Sequence, residues 1–309
     1  MMKWSTESWA RFACLYAGAI WGIFWIPVRA INDAGIHGMW SSAIWFAVPT
    51  FLLLPLAIYR WRCIKAGGFD LQVTTLLSGI ALLFYTLAFL YTDVVRAMLL
   101  YYLTPVWSTL LATVILGEII TWQRVIAIIL AATGMLVIFG LGLNFPVPKN
   151  LGDWMGVFSG IVWAIAIVRI RKYESHSALD MTIGFFFWST VTALIACLIL
   201  VSDKSPSPAQ MYSVLPWLIP FMALAVIPGA FASLWGPKFL SPGLAGLLMM
   251  TEIIFGSITA ALFANEAFGT REIIGIVLIS SASLVEPLYD IIQKKTKTKR
   301  KKIKMKMIQ

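Results

Sequence analysis

Residues 243–263 read GLAGLLMMTEIIFGSITAALF, an apolar run with a single charged side chain, Glu252, near its middle. About 20 mostly apolar residues, each rising about 1.5 Å, cross a hydrocarbon core about 30 Å thick, so this run reads as a membrane-spanning helix. Nine further segments read the same way, at 9–31, 40–59, 73–92, 96–116, 122–143, 154–170, 181–201, 214–235 and 271–292. The loops between them are short and hold most of the Asp, Asn, Pro and Lys, leaving no room for a separate soluble domain. Composition agrees: of 309 residues, 60% are hydrophobic and 12% charged, with mean hydropathy +0.85. Soluble domains are nearer half apolar and a quarter charged, so a soluble globular protein is excluded.

The formal charge is +10, but nine of the 24 bases lie in residues 294–309, leaving 15 bases against 14 acids in the body. The body is thus nearly neutral. A nucleic-acid binder would carry a basic face on its fold, so no nucleic-acid partner is expected. The tail itself reads as disordered and cytoplasmic, because its like charges repel and its apolar content is low. Attraction to anionic lipid is a second role for it. Three scattered cysteines, Cys14, Cys63 and Cys197, offer neither a disulfide framework nor paired metal-ligand spacing. Two histidines, His37 and His176, are too few for a histidine-built metal site, so neither metal nor cofactor is expected. The apolar stretch at 9–31 is longer than the core of a cleavable signal and reads as a retained first helix.

Lys and Arg near span ends are retained in the cytoplasm. With both termini inside, the cytoplasmic set is Lys3, Arg11, Arg60, Arg62, Lys65, Arg124, Arg169, Arg171, Lys172, Lys238 and the nine tail bases. Arg29, Arg96, Lys149, Lys204 and Arg271 fall on the other side. This places an integral multi-pass protein in the plasma membrane, the inner membrane of a bacterium, as a monomer or homodimer.

The halves repeat. An offset of 142 lays Gly18, Trp21, Ile23, Arg29 and Met39 over Gly160, Trp163, Ile165, Arg171 and Met181. An offset of 148 lays Ala97, Leu100, Glu118 and Ile126 over Ala245, Leu248, Glu266 and Ile274. Ile/Leu/Ala matches arise by chance in such a sequence, so the weight rests on Trp21/Trp163, Arg29/Arg171 and Glu118/Glu266. The expected fold is all-α, ten transmembrane helices in two five-helix repeats at 1–145 and 150–293, with the tail at 294–309. An odd number of spans per copy inverts the second copy, and inverted copies can expose a shared midplane cavity to either side in turn.

At Leu103-Thr-Pro-Val-Trp107, Leu116-Gly-Glu118 and Gly134, and again at Met250-Thr-Glu-Ile-Ile254, Ala264-Asn-Glu266 and Gly275, the chain resembles the EamA-type branch of the drug/metabolite transporter superfamily. The second copy departs from that pattern, with Ile253 where a proline commonly follows the glutamate and Asn265 in place of a glycine. The resemblance spans about residues 9–292 and implies ten helices in two repeats. It also implies export of amino acids or other small metabolites, or carriage of amines and nucleotide-sugar-like cargo.

An ionisable group at membrane depth is costly, about 2.5–3.5 kcal/mol on the insertion scale, and marks a functional site by default. Glu252 is therefore the leading candidate, either binding the amine of a substrate or carrying an exchanged proton; accepting hydrogen bonds from a neighbouring helix is the structural alternative. Its counterpart 148 residues earlier is Thr104, beside Pro105, which removes a backbone donor from the fourth span. Trp4, Trp9, Trp40, Trp61, Trp122, Trp154 and Trp217 lie near span ends as interfacial belt residues. Trp21, Trp163, Tyr85, Phe89, Tyr101, Trp107 and Trp235 lie deeper and, if the family arrangement applies, line the cavity, where aromatic faces stack on a ring or enclose a cation. Glu118 and Glu266 read as helix-end charges, Arg29 and Arg171 as snorkelling arginines, and Lys238 as a base retained inside.

The reading is a secondary active transporter that exports a small metabolite, an amino acid or related amphiphile, by alternating access. A passive channel or facilitator is the alternative, and an intramembrane enzyme a weaker one, since no second mid-span acid accompanies Glu252. No Gly-x-x-x-x-Gly-Lys-Ser/Thr stretch for ATP is present. Single cysteines introduced at each terminus are expected to react with an impermeant thiol reagent from the same side of the membrane; labelling from opposite sides would break the two-copy arrangement.

Overall fold

The computed structural model describes residues 5–36, 38–92, 94–139, 148–263, 269–271, 273–282, 284–285 and 288–289. No strand occurs among the described residues. In chain order the helices are α1 (Thr6–Gly22), α2 (Trp25–Asp33), α3 (Gly38–Tyr59), the short α4 (Trp61–Ala66), α5 (Gly68–Tyr91), α6 (Val94–Tyr101), α7 (Thr104–Leu116) and α8 (Trp122–Phe139). They continue with α9 (Leu151–Lys172), α10 (Ala178–Leu200), α11 (Pro208–Phe221), α12 (Ile227–Trp235), α13 (Pro242–Met249) and α14 (Thr251–Phe263), followed by α15 (Ile273–Ala282).

Among the described residues seven helical stretches are long and apolar enough to cross a bilayer: Thr6–Asp33, Gly38–Tyr59, Gly68–Phe89, Leu151–Lys172, Ala178–Leu200, Pro208–Lys238 and Pro242–Phe263. The chain is therefore an integral multi-pass membrane protein. Three shorter apolar helices, Thr104–Leu116, Trp122–Val137 and Ile273–Ala282, fall within the expected spans 96–116, 122–143 and 271–292. The first of these is shorter than expected because the helix breaks at Tyr102 and Leu103. The ends of the other two, together with His37, Glu266 and the tail, lie outside the described residues.

Local chemistry sets the helix ends. Asn150 caps α9 by accepting the Asp153 N–H at 2.8 Å, and Ser207 with Gln210 forms a reciprocal capping box at α11. Gly117 ends α7 at φ +68°, a left-handed conformation open to glycine at little cost, which explains the glycine before Glu118. Between Pro220 and Pro228 the backbone passes through a π-helical turn, Met222–Val226, that links α11 to α12. Pro220 removes one of the hydrogen bonds that would continue α11.

Two breaks matter most. α6 gives way to α7 at Tyr102–Leu103, and α13 to α14 at Met250. Each break frees backbone carbonyls at membrane depth, and a threonine hydroxyl answers in each. Thr104 donates to the Tyr101 carbonyl at 2.6 Å and to Gly160 of α9 at 3.3 Å. Thr251 donates to the Leu248 carbonyl at 3.1 Å and to Leu15 of α1 at 3.0 Å.

The crossing helices come this close because they carry glycine where they pass. A Cβ on Gly160 would sit 2.7 Å from the Tyr101 carbonyl oxygen, and one on Gly18 2.6 Å from that of Met249. Gly18 and Gly160 are 142 residues apart, and Tyr101 and Met249 are 148 apart, the same two offsets that align the halves. α9 thus packs on α6 and α7, and α1 on α13 and α14. Small residues at such crossings are how membrane helices gain contact without a hydrophobic driving force. Gly160→Val should push α9 from the break and destabilise the fold by about 1–3 kcal/mol, read as a lower unfolding midpoint in detergent; an unchanged midpoint would mean that the crossing is loose.

Candidate functional site

The two breaks meet at a cavity. α6 and α7 give it Tyr101, Tyr102, Thr104 and Pro105, and α13 and α14 give Gly246, Met249 and Glu252. Trp21 of α1, Ala81, Leu82 and Tyr85 of α5, Ser159 and Trp163 of α9, and Phe185 of α10 complete the lining. The cavity volume is about 40 Å³, room for roughly three waters.

Glu252 lies in the first turn of α14, where the helix dipole favours negative charge by about 0.3–1 kcal/mol. It is 4% exposed. The Tyr85 hydroxyl donates to its Oε1 at 3.0 Å. The Tyr102 hydroxyl approaches the same carboxylate without reaching hydrogen-bonding geometry; it is 4% exposed and has no partner. Tyr85 stacks on Tyr101 with ring centroids 4.2 Å apart and planes 28° apart. Trp21 meets Phe185 edge to face at 6.4 Å. The arrangement is one acid and several hydroxyls in an aromatic box.

Six of the nine residues expected at the site line this cavity: Trp21, Tyr85, Tyr101, Thr104, Trp163 and Glu252. Two pairs among them, Trp21 with Trp163 and Thr104 with Glu252, are related by the offsets of 142 and 148. The other three do not line it. Phe89 sits behind the lining, its ring 4.6 Å from Tyr85 and 5.9 Å from Phe24. Trp107 lies one turn further along α7, with its indole N–H buried and unpartnered. Trp235 closes the far end of α12 against Phe239 at 5.1 Å. Spacing of three or four residues fixes the face of a helix but moves the side chain about 5 Å along the axis, so a shared face is not a shared depth.

Tyr102, Ser159, Phe185, Gly246 and Met249 were missed as lining residues. Tyr102 had a usable signal, since it stands 148 residues before Met250, the other break. Ser159, beside Gly160, marked a close helix approach. Nothing in the sequence singles out Phe185 from the neighbouring phenylalanines.

Away from the cavity, charged side chains gather where the C-terminal ends of α3 and α9 meet the N-terminal ends of α5, α8, α10 and α13. Arg60 holds Asp180 with two donors, the longer at 2.9 Å, and this partner raises the Arg60 pKa. Arg169 reaches Asp70 at 2.9 Å, Arg171 reaches Glu174 at 3.0 Å, and Arg124 lies 3.6 Å from Glu118. Arg171 also donates to the Lys238 carbonyl, while Lys238 Nζ donates to the His176 carbonyl at 2.6 Å. Burial holds the His176 imidazole below its ordinary range, against the opposite pull of Asp70. Arg60, Arg124, Arg169, Arg171 and Lys238, five of the bases that the sequence assigned to one side, thus gather at one end of the bundle. No group of three His, Cys, Asp or Glu side chains suited to a metal occurs among the described residues.

The cavity lies where the two broken helices meet, with the buried acid Glu252 on one of them. The model of the EamA-like transporter family matches the chain twice, at residues 8–140 and 150–285, and the chain belongs to that family. An uncharacterized transporter of Helicobacter pylori is 19% identical over 279 residues, 88% of this chain and 92% of that protein. One of Clostridium kluyveri is 23% identical over 252 residues, 78% of this chain and 80% of that protein. A crystal structure superposes with TM-score 0.69 at 15% identity, over 91% of this chain and 98% of its own, which bears on the fold alone.

A hydrogen bond to a charged group contributes about 1.5–3 kcal/mol, so Tyr85→Phe should lower the unfolding midpoint measurably. Tyr102→Phe removes an unpartnered hydroxyl and should leave it unchanged or raise it. Equal losses in thermal unfolding would mean that both tyrosines hold the carboxylate.

Proposed function

We propose that the protein is a secondary active transporter exporting a small metabolite, an amino acid or related amphiphile, by alternating access. The observation that carries this reading is Glu252, a carboxylate at a helix break, lining a cavity between the halves. Two inverted five-helix copies, 1–145 and 150–293, fit the double family match and the repeat-related pairs Trp21/Trp163, Thr104/Glu252 and Gly18/Gly160 that meet at the cavity or pack beside it. Inverted copies exchange conformations at no net cost, which is how a fixed midplane site opens to either face.

In this reading Glu252 takes up either the cargo or a proton, and Tyr85 orients it. In this reading both termini are cytoplasmic, which the distribution of loop bases supports, the membrane is the bacterial inner membrane, the working unit is a monomer or homodimer, and anionic lipid lies against the tail at 294–309.

The test uses proteoliposomes with imposed pH gradients, screening labelled amino acids and amines for saturable uptake and counterflow. Flux that neither saturates nor shows counterflow would make the protein a channel. Glu252→Gln should purify as a folded protein, lose gradient-driven uptake at least tenfold, and show flat pH dependence. Normal proton-driven uptake in that variant would remove Glu252 from the mechanism.

A further inference from the structure

On one side the cavity is walled off by rings. α1 ends at Gly22 and α2 begins at Trp25. Pro27 has no N–H for the Ile23 carbonyl, which takes the Ile26 N–H at 3.2 Å instead, and the helix turns there. Phe24 stands at this turn, three residues beyond Trp21 of the lining. It is 2% exposed, and its ring meets Trp21 at 6.0 Å, Trp45 at 5.5 Å, Phe89 at 5.9 Å and Tyr85 at 6.2 Å with planes 22° apart. α5 starts with Asp70 at the basic end and passes Tyr85 before Phe89, while α2 leads on towards Gly35, which Gln210 holds at the other end. Phe24, Phe89 and Trp45 thus form a layer between the cavity and the end away from the bases.

The two ends are closed by different means. Towards the basic end α5 lies directly on α10: a Cβ on Gly79 would sit 2.8 Å from the Ser189 nitrogen, and one on Gly184 2.8 Å from Thr75 Oγ1. Arg60 of α3 holds Asp180 of α10 close by. Opening that end means parting whole helices. At the ring layer only side chains and the α2 arm stand in the way. Below the turn α1 is seated on α14, where a Cβ on Gly22 would be 2.6 Å from the Glu252 carbonyl oxygen; above it α2 is joined to α14 by the hydrogen bond of Trp25 Nε1 to Thr259 Oγ1 at 3.1 Å. The Trp45 indole N–H is buried in the layer without a partner, a cost that water or a passing solute relieves when the rings part. The offset of 142 sets Ala166 against Phe24 and Arg169 against Pro27, so the corresponding place in the other half has neither the ring nor the proline.

We propose that Phe24 is the gate on this side of the cavity, swinging with α2 about Ile23 while α1 stays seated on α14. The proposal rests on the transport reading and names a moving part of it. A few residues at the end of an element suffice to absorb such a rotation, and an apolar constriction of this kind excludes water while it is shut. Tyr85 both stacks on Phe24 and donates to Glu252 at 3.0 Å. An occupant that draws Tyr85 or the carboxyl group to itself therefore shifts the ring on which Phe24 rests, and the filling of the cavity is passed to the gate.

The experiment uses the full chain with Ser159→Cys as a reporter in the cavity; Cys14 and Cys197 are fully buried. An impermeant thiosulfonate is added to right-side-out and to inside-out vesicles, and labelling at each position is followed by peptide mass spectrometry. The exposed Cys63 on α4 reports which preparation presents the basic end. Phe24→Ala is expected to speed labelling of the reporter at least tenfold from the side away from the bases and to leave it unchanged from the basic side. Pro27→Ala, which restores a donor for the Ile23 carbonyl and stiffens the turn, should slow labelling from the same side in the chain that keeps Phe24. Where Phe24→Ala does not fold, Phe24→Leu serves, with at least a threefold acceleration expected. An unchanged rate, an equal acceleration from both sides, or no effect of Pro27→Ala would overturn the assignment. Labelling needs no cargo, so the two readings fail separately. The expected pattern without counterflow of any solute sinks the transport reading alone; counterflow in a protein whose labelling ignores Phe24→Ala sinks the gate alone.

Discussion

In hydrocarbon every backbone N–H and C=O must find a partner within the protein, so a helix can be interrupted at depth only where other protein covers the interruption. The organisation of this chain follows from meeting that requirement twice. Thr104 and Thr251 each close a carbonyl of their own broken helix and reach a carbonyl of the crossing helix. The crossing helices lie near enough to accept only because Gly160 and Gly18 have no side chain there. The breaks, the glycine crossings and the cavity are therefore one feature: filling either glycine would expose the irregular backbone beside the site.

The same breaks make a buried acid tolerable. Glu252 stands in the first turn after Met250, where the helix dipole favours negative charge, and Tyr85 supplies a donor from α5. In mid-helix the same side chain would have neither the dipole nor the gap that becomes the cavity. Its surroundings stay apolar, with Trp21, Trp163, Phe185 and Met249 around it. The carboxyl group is thus held by few contacts and faces the cavity.

The membrane class and the positions of the apolar segments were legible in the sequence, because hydropathy is a strong signal, and the rarity of mid-span acids singled out Glu252, which the structure buries at the cavity. The offsets of 142 and 148 also led to Trp21, Trp163, Thr104 and Glu252, which share the cavity. The depth of an aromatic side chain was not legible. These helices are apolar nearly all round, so no polar face marks which side meets the core, and Phe89, Trp107 and Trp235 were placed by kind of residue rather than by position along the axis. The break at Tyr102 was only half visible: Pro105 announced a loosened helix, but a proline is tolerated in a continuous membrane helix too, and α3 continues through Pro49 and Pro55.

The two ends of the bundle are fastened differently. At the basic end, ion pairs join α3 to α10 and α5 to α9, and Arg171 and Lys238 tie the α9–α10 turn to the end of α12. At the other end the links are hydrogen bonds such as Thr92 to Asp153 at 2.7 Å, Trp40 to the Val201 carbonyl at 3.0 Å and Gln210 to the Gly35 carbonyl at 2.7 Å. Partly exposed ion pairs contribute little individually, typically about 0–1 kcal/mol, because water competes for both partners. Arg169 with Asp70 and Arg171 with Glu174 are of that kind. Each of these two pairs can exchange its partner for water at little cost. The walls of the cavity are set by glycine crossings, whereas the basic end combines exposed pairs with the buried Asp180 and Lys238, whose partners water replaces less readily.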